Sequence, residues 1–175
     1  RAYLAYIRGE CRAERGDPEA GLHLRHAVEI ADEAGLWFIA GIARHTLITT
    51  GARADPDPAS ALLMFGPLLG HWYRYGAWTQ LWIALRAFVE IVSRAGRHGD
   101  VAVLLGALNA SRWASRPFGP DAARMREVED LARVVLGLEF GPRYEEGRGL
   151  GDVGAVALAR RIIDGSPLPT APRTT

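Results

Sequence analysis

Apolar residues recur at helical spacing along most of the chain, and glycine or aspartate–proline turns interrupt them. Tyr3, Leu4, Ile7 and Cys11 form the first stripe, which predicts a helix over 2–14 buried on that face. Asp17-Pro18 pairs a capping side chain with a proline at the first helical position. It opens a second helix whose stripe is Leu24, Ala27, Val28 and Ala31 and whose end is Gly35. A third helix buries Leu36, Ile39, Ala40, Ala43 and Leu47, and Asp55-Pro56-Asp57-Pro58 launches a fourth. Gly66-Pro67 should kink or split that helix, because proline lacks the backbone donor and clashes one turn back.

Gly76 precedes the strongest pattern. Trp78, Leu81, Trp82, Leu85, Phe88, Val89 and Val92 share one face, with Arg86, Glu90 and Arg94 on the opposite, exposed one. After a turn at Gly99-Asp100, a sixth helix buries Val103, Leu104, Ala107 and Leu108. A loop over 117–120 leads to a seventh, buried through Met125, Val128, Ala132, Val135 and Leu136, with Glu129 and Arg133 on its outer side. A short helix over 142–146 and a last one over 152–163 follow, and no segment alternates as a strand does. The expectation is an all-α domain over 1–164 and a disordered, proline-rich tail over 165–175. Helix starts roughly 20 residues apart make helical hairpins of about 40 residues, in the range of TPR and HEAT-like arrays. Such hairpins hide their apolar faces by stacking into a solenoid, here of about eight or nine helices, whose usual role is binding.

Composition narrows the chemistry. The chain has 175 residues, 49% apolar and 23% charged, enough for a sizeable core. All 21 basic residues are arginine, which excludes a Walker A lysine or a Schiff-base lysine from this segment. Cys11 is the single cysteine, so no internal disulfide or multi-cysteine zinc site forms here. The net charge of +1 lacks the excess expected of a domain that neutralises phosphates, so direct nucleic-acid binding is not expected. No long uncharged apolar run or signal-peptide layout is present, so a cytoplasmic, non-membrane location is expected. The opening residue is Arg1 rather than methionine, which points to a segment of a longer or processed chain.

The main candidate for recognition is the aromatic concentration Trp72, Tyr73, Tyr75, Trp78 and Trp82. Trp78 and Trp82, one turn apart, are expected in the structural core with Leu85 and Phe88. Trp72, Tyr73 and Tyr75 are expected as a contact surface near the start of the fifth helix. Arg112 and Arg116, with Arg124 and Arg126, form a second candidate, since arginine forks receive phosphates or acidic partners. His23, His26 and Glu29 share a helix face without a further fixed ligand, so no metal is expected, and His45 and His71 stand alone. Gly147-Arg148-Gly149-Leu150-Gly151 lacks the preceding strand of a dinucleotide loop and is expected as a helix-to-helix turn. No catalytic residues and no cofactor are assigned.

The run Gly76-Ala77-Trp78-Thr79-Gln80-Leu81-Trp82, continued by Leu85-Arg86, resembles a helix of the TPR-like C-terminal regions of large bacterial STAND- or AAA-type ATPase regulators. Gly96-Arg97-His98-Gly99-Asp100 and the segments Leu136 to Phe140, Tyr144 to Leu150 and Ala155 to Ala159 are similar to the terminal pattern of that family. Family members join the ATPase to LuxR-type DNA-binding or adenylate-cyclase domains, none of which lies in these residues. The resemblance implies a non-catalytic sensor or protein-interaction module of a signalling or transcriptional regulator. Its expected partner is the attached ATPase or output domain, or a separate protein. The alternatives are a homo-oligomerisation domain, for instance a dimer, and a small-ligand-binding helical receptor.

Overall fold

The computed structural model describes residues 1–165, and the protein is all-α. The described residues hold nine α-helices, one 3-10 turn and no strand: α1 (Ala2–Glu14), α2 (Ala20–Glu33), α3 (Trp37–Ala54), α4 (Pro58–Arg74), α5 (Trp78–Arg94), α6 (His98–Ala110), α7 (Gly119–Leu136), the 3-10 turn (Gly137–Glu139), α8 (Phe140–Arg148) and α9 (Gly151–Ile163). None of these helices is long and apolar enough to cross a membrane. The tail expected over 165–175 lies, beyond Gly165, outside the described residues. Where the sequence reads as one repeat domain over 1–164, the contacts group into two compact units, Arg1–Trp78 and Thr79–Thr175.

In the first unit, successive helices pack on one another, α1 on α2, α2 on α3 and α3 on α4, and α1 also reaches α3. The expected face of α1 is reversed. Tyr3 and Leu4 are 55% and 63% exposed and Cys11 is exposed, while Ala2 and Gly9 are buried. Helical geometry puts the two sets on opposite sides, and the small side wins because it allows close approach. A Cβ on Gly9 would fall 2.7 Å from Leu24 Cγ on α2. Ala2, Ala31 and Ala40 then join α1, α2 and α3 in one cluster.

The turns follow local chemistry. Asp17 accepts from the Glu19 amide at 2.9 Å and pairs with Arg12 at 2.6 Å, so the turn is capped and α2 begins only at Ala20. Gly35, at φ +66°, terminates α2 in the left-handed conformation that glycine enters without steric cost. Asp57 caps α4 by accepting from the Ala59 and Ser60 amides at 3.0 and 3.2 Å. Gly66-Pro67 does not split α4, which runs unbroken from Pro58 to Arg74 with Pro67 exposed. The turn before α6 falls at Gly96, φ +72°, rather than at Gly99-Asp100, which lie inside the helix.

In the second unit α6 is central, buried without a break from Asp100 to Ala107 and contacted by α7, α8 and α9. The α6–α8 contact is made backbone to backbone. A Cβ on Gly106 would run into the Tyr144 carbonyl, and one on Gly147 into the Val103 carbonyl. Met125 and Ala132 hold α7, but Val135, expected in the core, is exposed with Leu131 and Val134. Arg133 ties down the following turn, its guanidinium lying 4.1 Å from the centre of the Phe140 ring.

Trp82, Leu85 and Phe88 of α5 are fully buried, whereas Trp78 is only half-buried. The Trp82 indole nitrogen donates to Asp152 Oδ1 at 2.8 Å, and the Ser111 hydroxyl donates to the same oxygen at 2.9 Å. This joins α5 to α9 and to the loop after α6. Removing so large a ring leaves a cavity and takes away one of the two donors to the Asp152 carboxylate. Trp82→Ala is therefore expected to cost about 3–5 kcal/mol in urea unfolding, and a loss below about 1 kcal/mol would contradict the packing described here.

Candidate functional site

The aromatic cluster around the end of α4 is divided by the structure. Trp72 is 1% exposed and belongs to the core, against Phe38 at 6.1 Å and His71 at 5.0 Å between ring centres. It is therefore not part of a contact surface, which corrects its expected place. Its ring occupies the space left by the missing side chain of Gly41, where a Cβ would collide with it. Tyr73 is exposed and meets the edge of Trp78 at 5.7 Å. Tyr75, 47% exposed, lines a cleft.

That cleft, of about 490 Å³, is bounded by the end of α2, the start of α3 and the second half of α4. Trp37 stacks on Tyr75 with 4.6 Å between ring centres and 15° between planes. His71 lies 5.1 Å from Tyr75, and its Nε2 is 3.0 Å from the Trp37 carbonyl oxygen. A carbonyl only accepts, so Nε2 carries the hydrogen and Nδ1 bears the lone pair in the neutral ring. Arg44 pairs with Asp32 on one wall, and the exposed Arg74 on another has no ion-pair partner among the described residues. Rigid aromatic faces thus lie beside an exposed guanidinium, which suits an extended segment carrying apolar and acidic groups.

Sequence reasoning missed Trp37 and left His71 as a solitary histidine. The signals were the i, i+4 spacing of His71 and Tyr75 and a tryptophan placed directly after a helix-ending glycine turn.

The arginine candidates lie in the second unit. Arg112 is exposed, 4.8 Å from the centre of the Trp113 ring, and Arg116 is exposed at the rim of a cavity. Arg124 is engaged with Glu90 at 3.4 Å and with Asp121, so it does not join them. Arg86, expected on an outer face, is instead buried. His26 sits 3.8 Å from Glu29, and no group of three or more potential metal ligands occurs among the described residues. The glycine-rich run after Gly147 links α8 to α9. No protein-family model, curated protein or solved structure matches the chain.

Burial holds the His71 pKa below its usual value, and the positive charges of Arg44 and Arg74 push the same way. The Trp37 carbonyl and Asp32 oppose them incompletely. The folded protein therefore binds a proton at His71 less readily than the unfolded chain. The resulting stability is complete above about pH 6.5, the value in unfolded chains, and is lost as pH falls through the folded value. His71→Gln keeps a donor for the Trp37 carbonyl but cannot titrate. It should reduce the fall in urea midpoint between about pH 7.5 and about pH 5.5. An unchanged pH dependence would show that His71 is not its source.

Proposed function

We propose that the chain is a non-catalytic interaction and sensor module of a multidomain bacterial signalling or transcriptional regulator. Its helical hairpins would stack in the TPR-like manner, and its contact surface is the cleft lined by Trp37, His71, Tyr75 and Arg74. The observation that carries this reading is the stacked Trp37–Tyr75 pair at 4.6 Å, held open to solvent beside the exposed Arg74. Large rigid rings lose little conformational freedom on binding, and exposed aromatic and arginine side chains dominate recognition surfaces. The likeness of residues 76–86 to the regulator family supports the wider context. In this reading the module does no chemistry. Partner binding at the cleft favours one of two arrangements of an attached ATPase or output domain, to the extent that its affinities for the two differ.

The homo-oligomerisation alternative has one observation in its favour. Leu131, Val134 and Val135 lie at i, i+3 and i+4 on one face of α7, and all three are exposed.

Selection of a displayed peptide library on the immobilised chain tests the leading reading. Enriched peptides should combine an aromatic or apolar residue with a carboxylate. Trp37→Ala and Arg74→Ala should each weaken them by about tenfold or more. Failure to enrich any peptide, or equal binding by the variants, would refute the cleft as the contact surface.

A further inference from the structure

We propose that the cavity beneath Arg86 and Arg116 in the second unit binds a small organic anion, a carboxylate or phosphate head on an apolar body. Arg86 carries a charge that no described residue neutralises in an ion pair. Arg86 is 8% exposed, and its Nη2 donates to two neutral acceptors, the Ser115 carbonyl and the Ser115 hydroxyl at 3.3 Å. No carboxylate of the described residues forms an ion pair with it.

The neighbouring acids are engaged elsewhere. Asp121 helps to keep Arg86 charged but is bonded to Arg124, Glu90 is 3.4 Å from Arg124, and Glu129 is 2.6 Å from Arg133. Burial disfavours the Arg86 cation, yet a guanidinium does not shed its proton under ordinary conditions. A buried, unpaired charge is costly, and a methionine or leucine would fill the same space without that cost. An anion that enters from solvent removes the cost.

The surroundings fit such a ligand. Arg86 lines a cavity of about 540 Å³, within the range of small-molecule sites. Its Nε and Nη1 hydrogens have no acceptor among the described residues and remain for a ligand. Arg116, also without an ion-pair partner among the described residues, stands at the rim. The Tyr144 hydroxyl accepts from Asn109 Nδ2 at 2.6 Å, which leaves its own hydrogen free to donate. Leu105, Leu108 and Met125 supply an apolar wall. The donors thus receive an anionic head, and the apolar wall takes a short hydrocarbon body. This site is separate from the aromatic cleft and does not rest on the regulator reading.

Isothermal titration calorimetry and thermal melting of the full chain test the proposal. The probes are hexanoate and hexyl phosphate, with inorganic phosphate, 1-hexanol and sodium chloride of matched ionic strength as controls. At least one of the two amphiphilic anions should bind with one-to-one stoichiometry and raise Tm. The stronger of them identifies the head group. It should bind at least about tenfold more tightly than 1-hexanol or inorganic phosphate, since both head and body contribute. Arg116→Gln, an exposed change that leaves folding intact, should weaken binding by about fivefold or more. Arg86→Gln should abolish it. Should Arg86→Gln fail to fold, Leu108→Trp, which fills the cavity, replaces it and should also abolish binding. The proposal is overturned if neither anion raises Tm more than sodium chloride does. Tight binding by inorganic phosphate or 1-hexanol alone, or undiminished binding by the variants, overturns it equally.

Discussion

Helices that touch backbone to backbone are the constraint on which the second unit depends. Gly106 of α6 faces the Tyr144 carbonyl and Gly147 of α8 faces the Val103 carbonyl, so neither position has room for a side chain. The contact is reciprocal, since each helix supplies one glycine and one carbonyl. It draws α8 close enough to α6 for Asn109 to bond the Tyr144 hydroxyl at 2.6 Å, which fixes one wall of the Arg86 cavity. The first unit uses milder versions of this device. Gly9 admits Leu24 between α1 and α2, and Gly41 admits the Trp72 ring between α3 and α4. With Trp72 seated, the next residue back, His71, is placed to meet the Trp37 carbonyl.

Polar groups complete what close packing begins. Asp152 accepts from Trp82 and Ser111, and the Ser111 hydroxyl also receives the Trp113 amide at 3.2 Å. The loop after α6 is therefore pinned at Ser111 and again at Ser115, where Arg86 reaches it. Of these two anchors, the first is satisfied on both sides. The second leaves a cation without an ion pair among the described residues, and that imbalance separates a structural contact from a candidate binding group.

Helix existence and boundaries were largely legible in the chain, because turns and caps carry strong local signals. The first helix over 2–14 and the end of α2 at Gly35 agree with the structure, and α5 and α9 lie where periodicity places them. Helix faces were less legible. Hydrophobicity favoured Tyr3, Leu4 and Ile7 as the buried side of α1, but close approach requires small residues, and Ala2 and Gly9 provide it. The same bias toward polar-outside patterning put Arg86 on the surface, since its acceptors lie 29 residues away in a loop. Trp72 and Tyr75 are three residues apart in sequence, yet one is core and the other lines the cleft. Only the tertiary partners, Gly41 for the first and Trp37 for the second, separate them.

Urea unfolding of Gly106→Ala, beside Gly70→Ala as an internal standard, tests the close-packing account most directly. Gly70 lies inside α4 with nothing within 4 Å of a new Cβ. Alanine there should stabilise by about 1 kcal/mol through helix propensity alone. At Gly106 the same gain is opposed by a collision with backbone that cannot rotate away, so a net loss of about 1–3 kcal/mol is predicted. A Gly106→Ala protein as stable as the parent, or more so, would contradict the backbone contact between α6 and α8.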